Sequence, residues 1–76
     1  MRLDKYLKVS RIIKRRTVAN EACDAECITV NGVQKKASYQ VKPGDIIDVT
    51  IGRRHFACEV ISTESAPYFK ELSCGN

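Results

Sequence analysis

The hydrophobic spacing of this 76-residue chain changes once, near Ile28. Before that point apolar residues recur three and four positions apart, as Leu3, Tyr6 and Leu7 do, which is the spacing of one helix face. After that point short β-branched runs alternate with turn residues. A chain that is helical first and β-rich afterwards folds as an α+β domain. We therefore expect two N-terminal helices packed on one face of a small, curved antiparallel sheet.

The helical half predicts two short helices. The first covers residues 3–8, and the second starts at Thr17, a good N-cap residue, and ends near Asp24. Between them, Ile12 and Ile13 are expected to enter the core because the residues around them are basic.

The β-rich half predicts a hairpin followed by two strands. Residues 28–30 precede Asn31-Gly32, a pair suited to a tight turn whose two central residues need positive φ. A second turn at Pro43-Gly44 leads into strands at 46–51 and 55–61.

The predicted strands place the domain at residues 1–61. Residues 62–76 are then a C-terminal tail. One helical turn is expected in it around Pro67–Leu72, because Tyr68, Phe69 and Leu72 share a stripe at helical spacing.

Positive charge is concentrated at the start of the chain. Thirteen Lys and Arg against nine Asp and Glu give a net charge of +4. Residues 2–16 hold seven bases and one acid, or +6, and the remainder holds six bases and eight acids, or −2. Within the basic part, Asp4 is expected to pair with Lys8 one helical turn later. Such an uneven distribution points to an anionic partner.

The motifs of common enzymes do not occur in the sequence. It has no glycine-rich phosphate loop, no G-x-S-x-G and no H-E-x-x-H, and His55 is its one histidine. A chain of this size could hardly exclude water from a reacting centre. We therefore expect neither catalysis nor a cofactor.

No apolar run approaches the roughly 20 residues that cross a bilayer. The first residues also do not resemble a secretory signal. The expected location is the cytoplasm, with no membrane partner.

The four cysteines give a weak metal pattern. Cys23 and Cys27 lie close in sequence, and His55 and Cys58 could complete a zinc site, but no C-x2-C pair is present. Cys23 and Cys58 fall at apolar positions and are more simply read as small core residues, Cys27 and Cys74 as incidental, and a cytosolic protein would keep all four thiols reduced. The prediction is no metal, and a zinc-stabilised module is kept as an alternative.

RNA binding fits the basic residues best. Arg15, Arg16 and Thr17 stand where the second helix begins, and a helix N-terminus favours phosphate. Tyr39 is the one candidate for stacking on a base, and its position suits packing equally well, so structured RNA is favoured over single strands. The candidate RNA-binding residues are Arg2, Lys5, Lys8, Arg11, Arg15, Arg16, Thr17, Lys35 and Lys36.

Three segments in this order resemble the S4 RNA-binding domain, also called the alpha-L RNA-binding motif. They are R-L-D-K-Y-L at 2–7, I-T-V-N-G at 28–32 and V-K-P-G-D at 41–45, and the likeness covers about residues 1–50. The resemblance implies RNA contacts at Arg2, Lys5 and Arg16, and also at Arg15 and Lys36. The family usually has glycine and then a base where this chain has Glu26 and Cys27, which removes an easy positive-φ helix end.

The segment L-K-V-S-R-I-I-K-R-R-T-V-A, residues 7–19, is similar to small stand-alone S4 proteins of the RqcP and heat-shock groups. This resemblance implies binding to a dissociated large ribosomal subunit with a stalled nascent chain. The partners would be large-subunit rRNA, tRNA and a factor that extends the stalled chain during ribosome-associated quality control. We expect a monomer. The alternatives are an RNA-binding module that serves an rRNA- or tRNA-modifying enzyme in trans, and a protein-interaction module.

Overall fold

A computed structural model of the chain describes residues 1–72. Its elements are α1 (Leu3–Val9), α2 (Arg16–Asp24), β1 (Ile28–Val30), β2 (Val33–Gln34), β3 (Ile46–Ile51), β4 (Arg54–Val60) and β5 (Phe69–Glu71). The strands form one antiparallel sheet in the order β2-β1-β3-β4-β5. The predicted α+β fold is confirmed.

One hydrophobic core joins the helices to the sheet. Alternate residues of the central strands, such as Ile28, Ile47 and Cys58, are fully buried and face the apolar stripe of the helices. From α1 the core takes Leu3, Tyr6 and Leu7, and from α2 it takes Ala19, Ala22 and Cys23. Within residues 1–72, no helix is long and apolar enough to cross a membrane.

Helix α1 is held at its start by the loop before β3. A seven-residue helix is marginal by itself, and no side chain caps it. Its first N–H groups instead reach loop carbonyls, with Leu3 N 2.8 Å from Tyr39 O and Asp4 N 3.2 Å from Ala37 O. Loop and helix therefore form one unit, which fixes the side chains of the first helical turn.

Helix α2 starts earlier than the sequence predicts, with its N-cap two residues before Thr17. Arg15 occupies the N-cap position with extended backbone, and no side chain caps the helix, so the prediction that Thr17 caps it is wrong. Thr17 is the second residue of α2, so its N–H is one of the free donors at the N-terminal end of the helix.

Helix α2 ends with Glu26 in the left-handed region, at φ 64°. The N–H of Cys27 donates to Ala22 O at 2.9 Å, and the N–H of Glu26 donates to Cys23 O at 3.3 Å. These two bonds are those of a Schellman ending, which most often carries glycine at the left-handed position. Glu26 therefore adopts the conformation that the family's glycine would adopt.

The Asn31-Gly32 turn is as predicted, with φ of 55° and 80° at its two residues. Asn31 also holds the next strand, because its Oδ1 accepts the N–H of Ile46 at 3.0 Å. Its Nδ2 donates to the buried carboxylate of Asp45 at 3.2 Å. Asp45 further accepts the hydroxyl of Tyr39 at 2.9 Å, so one carboxylate ties the hairpin to the loop before β3.

The predicted helical turn around Pro67–Leu72 is wrong. Residues 69–71 form β5, which pairs with β4 in the register Val60 to Phe69. The open edge of β4 offers unpaired backbone groups that a strand satisfies and a single helical turn does not. The folded unit therefore extends past the predicted boundary at residue 61, and residues 73–76 lie outside the described part.

Candidate RNA interface

Asp4 is a buried carboxylate between the two helices, with its side chain 3% exposed. Its Oδ1 accepts the N–H of Lys5 at 2.8 Å and the Nε–H of Arg2 at 3.2 Å. Its Oδ2 accepts the Nε–H of Arg16 at 3.3 Å and the side-chain amide of Asn20 at 3.4 Å. One carboxylate thus connects the start of α1 to the first turn and a half of α2.

Asp4 is held in its ionised form. Burial acts to raise its pKa, but hydrogen bonds from Asn20, the Lys5 N–H and Arg16, together with the Arg16 charge, outweigh burial and lower the pKa below its usual value. The predicted pair of Asp4 with Lys8 is wrong, because the carboxylate turns inward to α2 while Lys8 stays exposed.

Arg2, the residue before α1, and Arg16, the first residue of α2, converge on this carboxylate. Each side chain is 47% exposed, so each guanidinium has one edge on Asp4 and the other in solvent. The three side chains together carry a net charge of +1. Arg16, Asp4 and Asn20 line a shallow groove with Thr17 and Glu21. The sequence predicts that Arg2 and Arg16 belong to one basic cluster. The structure shows that Asp4 connects them, a role that the sequence analysis did not predict.

Most of the remaining predicted bases are exposed to solvent. Lys35 is half-buried, with its Nζ 5.1 Å from the centre of the Tyr39 ring. Tyr39 is therefore occupied on one face by a cation and at its hydroxyl by Asp45. The predicted site residues that are exposed without such a contact are Lys5, Lys8, Arg15, Thr17 and Lys36.

Arg11 lies in a different groove. Its backbone has φ 66°, and its side chain borders a cavity of about 310 Å³ together with Arg54. Apolar side chains complete the lining, namely Ile12, Val49, Ile51, Phe56 and Phe69. The structure thus separates Arg11 from the groove of Asp4, and Arg54 joins it only because β4 returns beside β3.

Cys23 and Cys58 are buried in the core, and Cys27 is half-buried. Burial raises the pKa of Cys23 to about 11 and that of Cys58 to about 12, so both remain thiols at neutral pH. Within residues 1–72, no three His, Cys, Asp or Glu side chains lie close enough to hold a metal ion. His55 Nε2 lies 3.2 Å from Asp48 Oδ1. Cys74 lies outside the described residues.

Comparison with known proteins identifies the family. The model of the S4 domain matches residues 1–47. A Bacillus subtilis protein named "RQC P-site tRNA stabilizing factor" is 55% identical over 60 residues, which are 79% of this chain and 70% of that protein. A Halalkalibacterium halodurans protein of the same name is 45% identical over 73 residues, covering 96% of this chain and 83% of the relative.

Solved structures agree with the fold. Heat Shock Protein 15 of Vibrio cholerae, described as trimeric, has a TM-score of 0.86 at 24% identity, over 99% of this chain and 84% of that one. The hypothetical protein HP1423 has a TM-score of 0.78 at 26% identity, over 96% of this chain and 98% of that one. With the sequence matches, these likenesses establish that the chain belongs to the S4 domain family, in the group that contains these curated relatives.

Proposed function

We propose that the protein is a non-catalytic RNA-binding factor of ribosome-associated quality control. It binds the large ribosomal subunit and contacts both rRNA and the peptidyl-tRNA of a stalled nascent chain. The name shared by its relatives, "RQC P-site tRNA stabilizing factor", supports this role. The match to the S4 domain supports RNA as the ligand.

The observation that carries the proposal is the convergence of Arg2, just before α1, and Arg16, at the start of α2, on one buried carboxylate. Guanidinium groups bind phosphate through paired N–H donors, and a fixed pair of them recognises the phosphate backbone without reading the base sequence. Exposed bases at Lys5, Lys8 and Arg15 add to the positive field around the pair. Docking by charge and shape is the mechanism suited to folded rRNA and tRNA.

The protein acts in the cytoplasm as a monomer, and it holds the tRNA in place while a partner factor extends the stalled chain. Light scattering of the purified protein tests whether it is a monomer. Co-sedimentation of a tagged chain with separated large subunits tests whether the large subunit is its binding partner.

Substituting Arg16→Ala tests the site. Loss of one charged phosphate contact should weaken binding to large subunits carrying P-site tRNA by about tenfold. The slope of log K against log salt should also become shallower by about 0.7–0.9, the change expected for one fewer released counterion. Titration of labelled protein at several salt concentrations measures both quantities.

The matched control is Arg53→Ala, which removes the same charge from the exposed turn between β3 and β4. It should leave the affinity within about twofold, since surface charges away from a contact act only through a screened field. An Arg16→Ala protein that stays folded by circular dichroism and binds as tightly as the unsubstituted chain would refute the site.

Two other functions predict different outcomes. A module that serves an RNA-modifying enzyme would co-purify with that enzyme and not with large subunits. A zinc-stabilised module would lose thermal stability when a chelator is added.

A further inference from the structure

The cluster of Asp4, Arg2 and Arg16 places a negative charge in the middle of the surface that is proposed to bind RNA. A carboxylate at the centre of a phosphate-binding site repels the ligand, and neutralising it should by charge considerations strengthen binding. Yet Asp4 is almost fully buried and takes hydrogen bonds from both arginines that the proposed function places on RNA. A contribution other than charge is needed to explain its position.

We propose that Asp4 is a positioning residue, which holds Arg2 and Arg16 so that both guanidinium groups engage the same RNA phosphate. This inference rests on the proposed function, since it concerns how that site is assembled. Asp4 itself makes no contact with the RNA.

The geometry of the hydrogen bonds supports this role. Asp4 takes the Nε–H of both arginines, at 3.2 Å for Arg2 and 3.3 Å for Arg16, and it also takes Nη2 of Arg2 at 3.4 Å. The Nε edge is one side of the planar guanidinium, so binding there fixes the plane and directs the remaining N–H groups away. The side chains are half exposed, which leaves those groups accessible to a ligand.

The support beneath Asp4 makes it a fixed anchor. The Lys5 N–H at 2.8 Å and the amide of Asn20 at 3.4 Å hold its carboxylate from α1 and α2, independently of the arginines. A free arginine side chain samples many rotamers and loses that freedom on binding, whereas a pre-oriented one loses less. Two arginines anchored to one carboxylate can therefore act as a single phosphate receptor.

The sign of the change in affinity separates positioning from charge. Asp4→Asn removes the negative charge and turns one acceptor into a donor that faces the arginines. Positioning predicts that binding to large subunits with P-site tRNA weakens by about fivefold to tenfold, the effect of disordering one charged contact. Charge by itself predicts that binding tightens.

Glu21→Gln is the matched control for charge. Glu21 lines the same groove, and within residues 1–72 its carboxylate makes no ion pair. The same change from carboxylate to amide should there strengthen binding, because only the repulsion is removed. Opposite signs for Asp4→Asn and Glu21→Gln support the proposal, and tighter or unchanged binding of folded Asp4→Asn overturns it.

A double-mutant cycle shows whether Asp4 acts through the arginines. In an Arg16→Ala background, Asp4→Asn should reduce the affinity by less than it does in the natural chain, because only one of the two arginines that Asp4 positions remains. Equal costs in both backgrounds overturn the proposal. If Arg16→Ala has no effect on binding, the proposed function fails at this site, a result distinct from failure of the positioning role.

Asn20→Ala provides a second test should Asp4→Asn not fold. It removes one support of the carboxylate and keeps the charge of Asp4. The expected result is a twofold to threefold weakening of binding, on the order of one weak hydrogen bond. Unchanged binding by folded Asn20→Ala, in the absence of a folded Asp4→Asn protein, overturns the proposal.

Discussion

Glu26 shows how a single residue can satisfy a backbone requirement that another residue meets more easily. It ends α2 at φ 64° and completes both hydrogen bonds of the Schellman ending. A left-handed conformation costs an L-residue roughly 1–2 kcal/mol, and glycine avoids that cost. The fold thus requires the left-handed backbone conformation at position 26 rather than glycine itself, and the packing of α2 offsets the energetic cost of that conformation.

Replacing Glu26 by glycine should therefore stabilise the protein. The strain relieved exceeds the additional chain entropy that glycine loses on folding, which leaves a net gain of about 0.5–1 kcal/mol. Urea unfolding followed by circular dichroism measures this gain as a higher midpoint at an unchanged slope.

The control for this substitution is Glu26→Ala. It removes the same negative charge but keeps the strained backbone, so it should give no comparable gain. If alanine stabilises as much as glycine, the effect comes from charge and the conformational explanation is wrong.

At the residue scale, the sequence predicts the positions of Arg2 and Arg16 but not their connection. Local spacing suggests that Asp4 pairs with Lys8, four residues later. Two of the observed partners, Arg16 and Asn20, are twelve and sixteen residues away, and they meet Asp4 only after α1 and α2 have packed. Contacts of this kind are set by tertiary structure, which residue spacing along one helix does not contain.

Strand β5 marks the limit of prediction at the element scale. The helices, the hairpin and strands β3 and β4 follow from periodicity and turn residues, and they are found where expected within a few residues. In the segment from Pro67 to Leu72, the spacing of Tyr68, Phe69 and Leu72 favours a helical turn, and that prediction is wrong. The segment becomes a strand because the edge of β4 is available and because Phe69 meets Phe56 edge to face at 5.5 Å.

Phe69→Ala should show what this strand contributes. The half-buried ring packs on Phe56, and its removal should lower the free energy of unfolding by about 2 kcal/mol, less than for a fully buried phenylalanine. Urea or thermal unfolding measures the loss.

Lys70→Ala on the same strand is exposed and should change stability by less than about 0.5 kcal/mol. Equal effects of Phe69→Ala and Lys70→Ala would mean that β5 adds little to the stability of the sheet.

Over the whole molecule, two buried carboxylates join elements that are distant in sequence. Asp4 connects the helices, and Asp45 connects the hairpin to the loop before β3. For Asp45, burial acts to raise the pKa, but the Lys42 N–H, the Tyr39 hydroxyl and Asn31, with the Lys42 charge, lower it overall. Both groups therefore have a lower pKa folded than unfolded.

These shifts predict acid sensitivity with a definite sign. A group whose pKa is depressed on folding stabilises the fold fully above its unfolded pKa, and loses that contribution as the pH falls through the folded value. The free energy of unfolding should be level near neutral pH and decline below about pH 4, where an unfolded aspartate takes up its proton.

Urea unfolding at pH values from 7 to 3 measures the decline. Asp45→Asn should be less stable at pH 7 and show a shallower decline, since one of the two responding groups is gone. The exposed Asp24→Asn is the control and should keep the full decline. An unchanged pH dependence in Asp45→Asn would contradict the assignment.

The S4 match ends at residue 47, whereas β3 continues to Ile51 and is completed by β4 and β5. The stretch by which the family is recognised is therefore smaller than the stretch that folds. A graft of residues 1–47 onto another protein would transfer the arginine pair but divide a central strand and expose the core beneath it. To move this recognition surface to a new scaffold, an engineer must carry the later strands with it, although none of the predicted contact residues lies there.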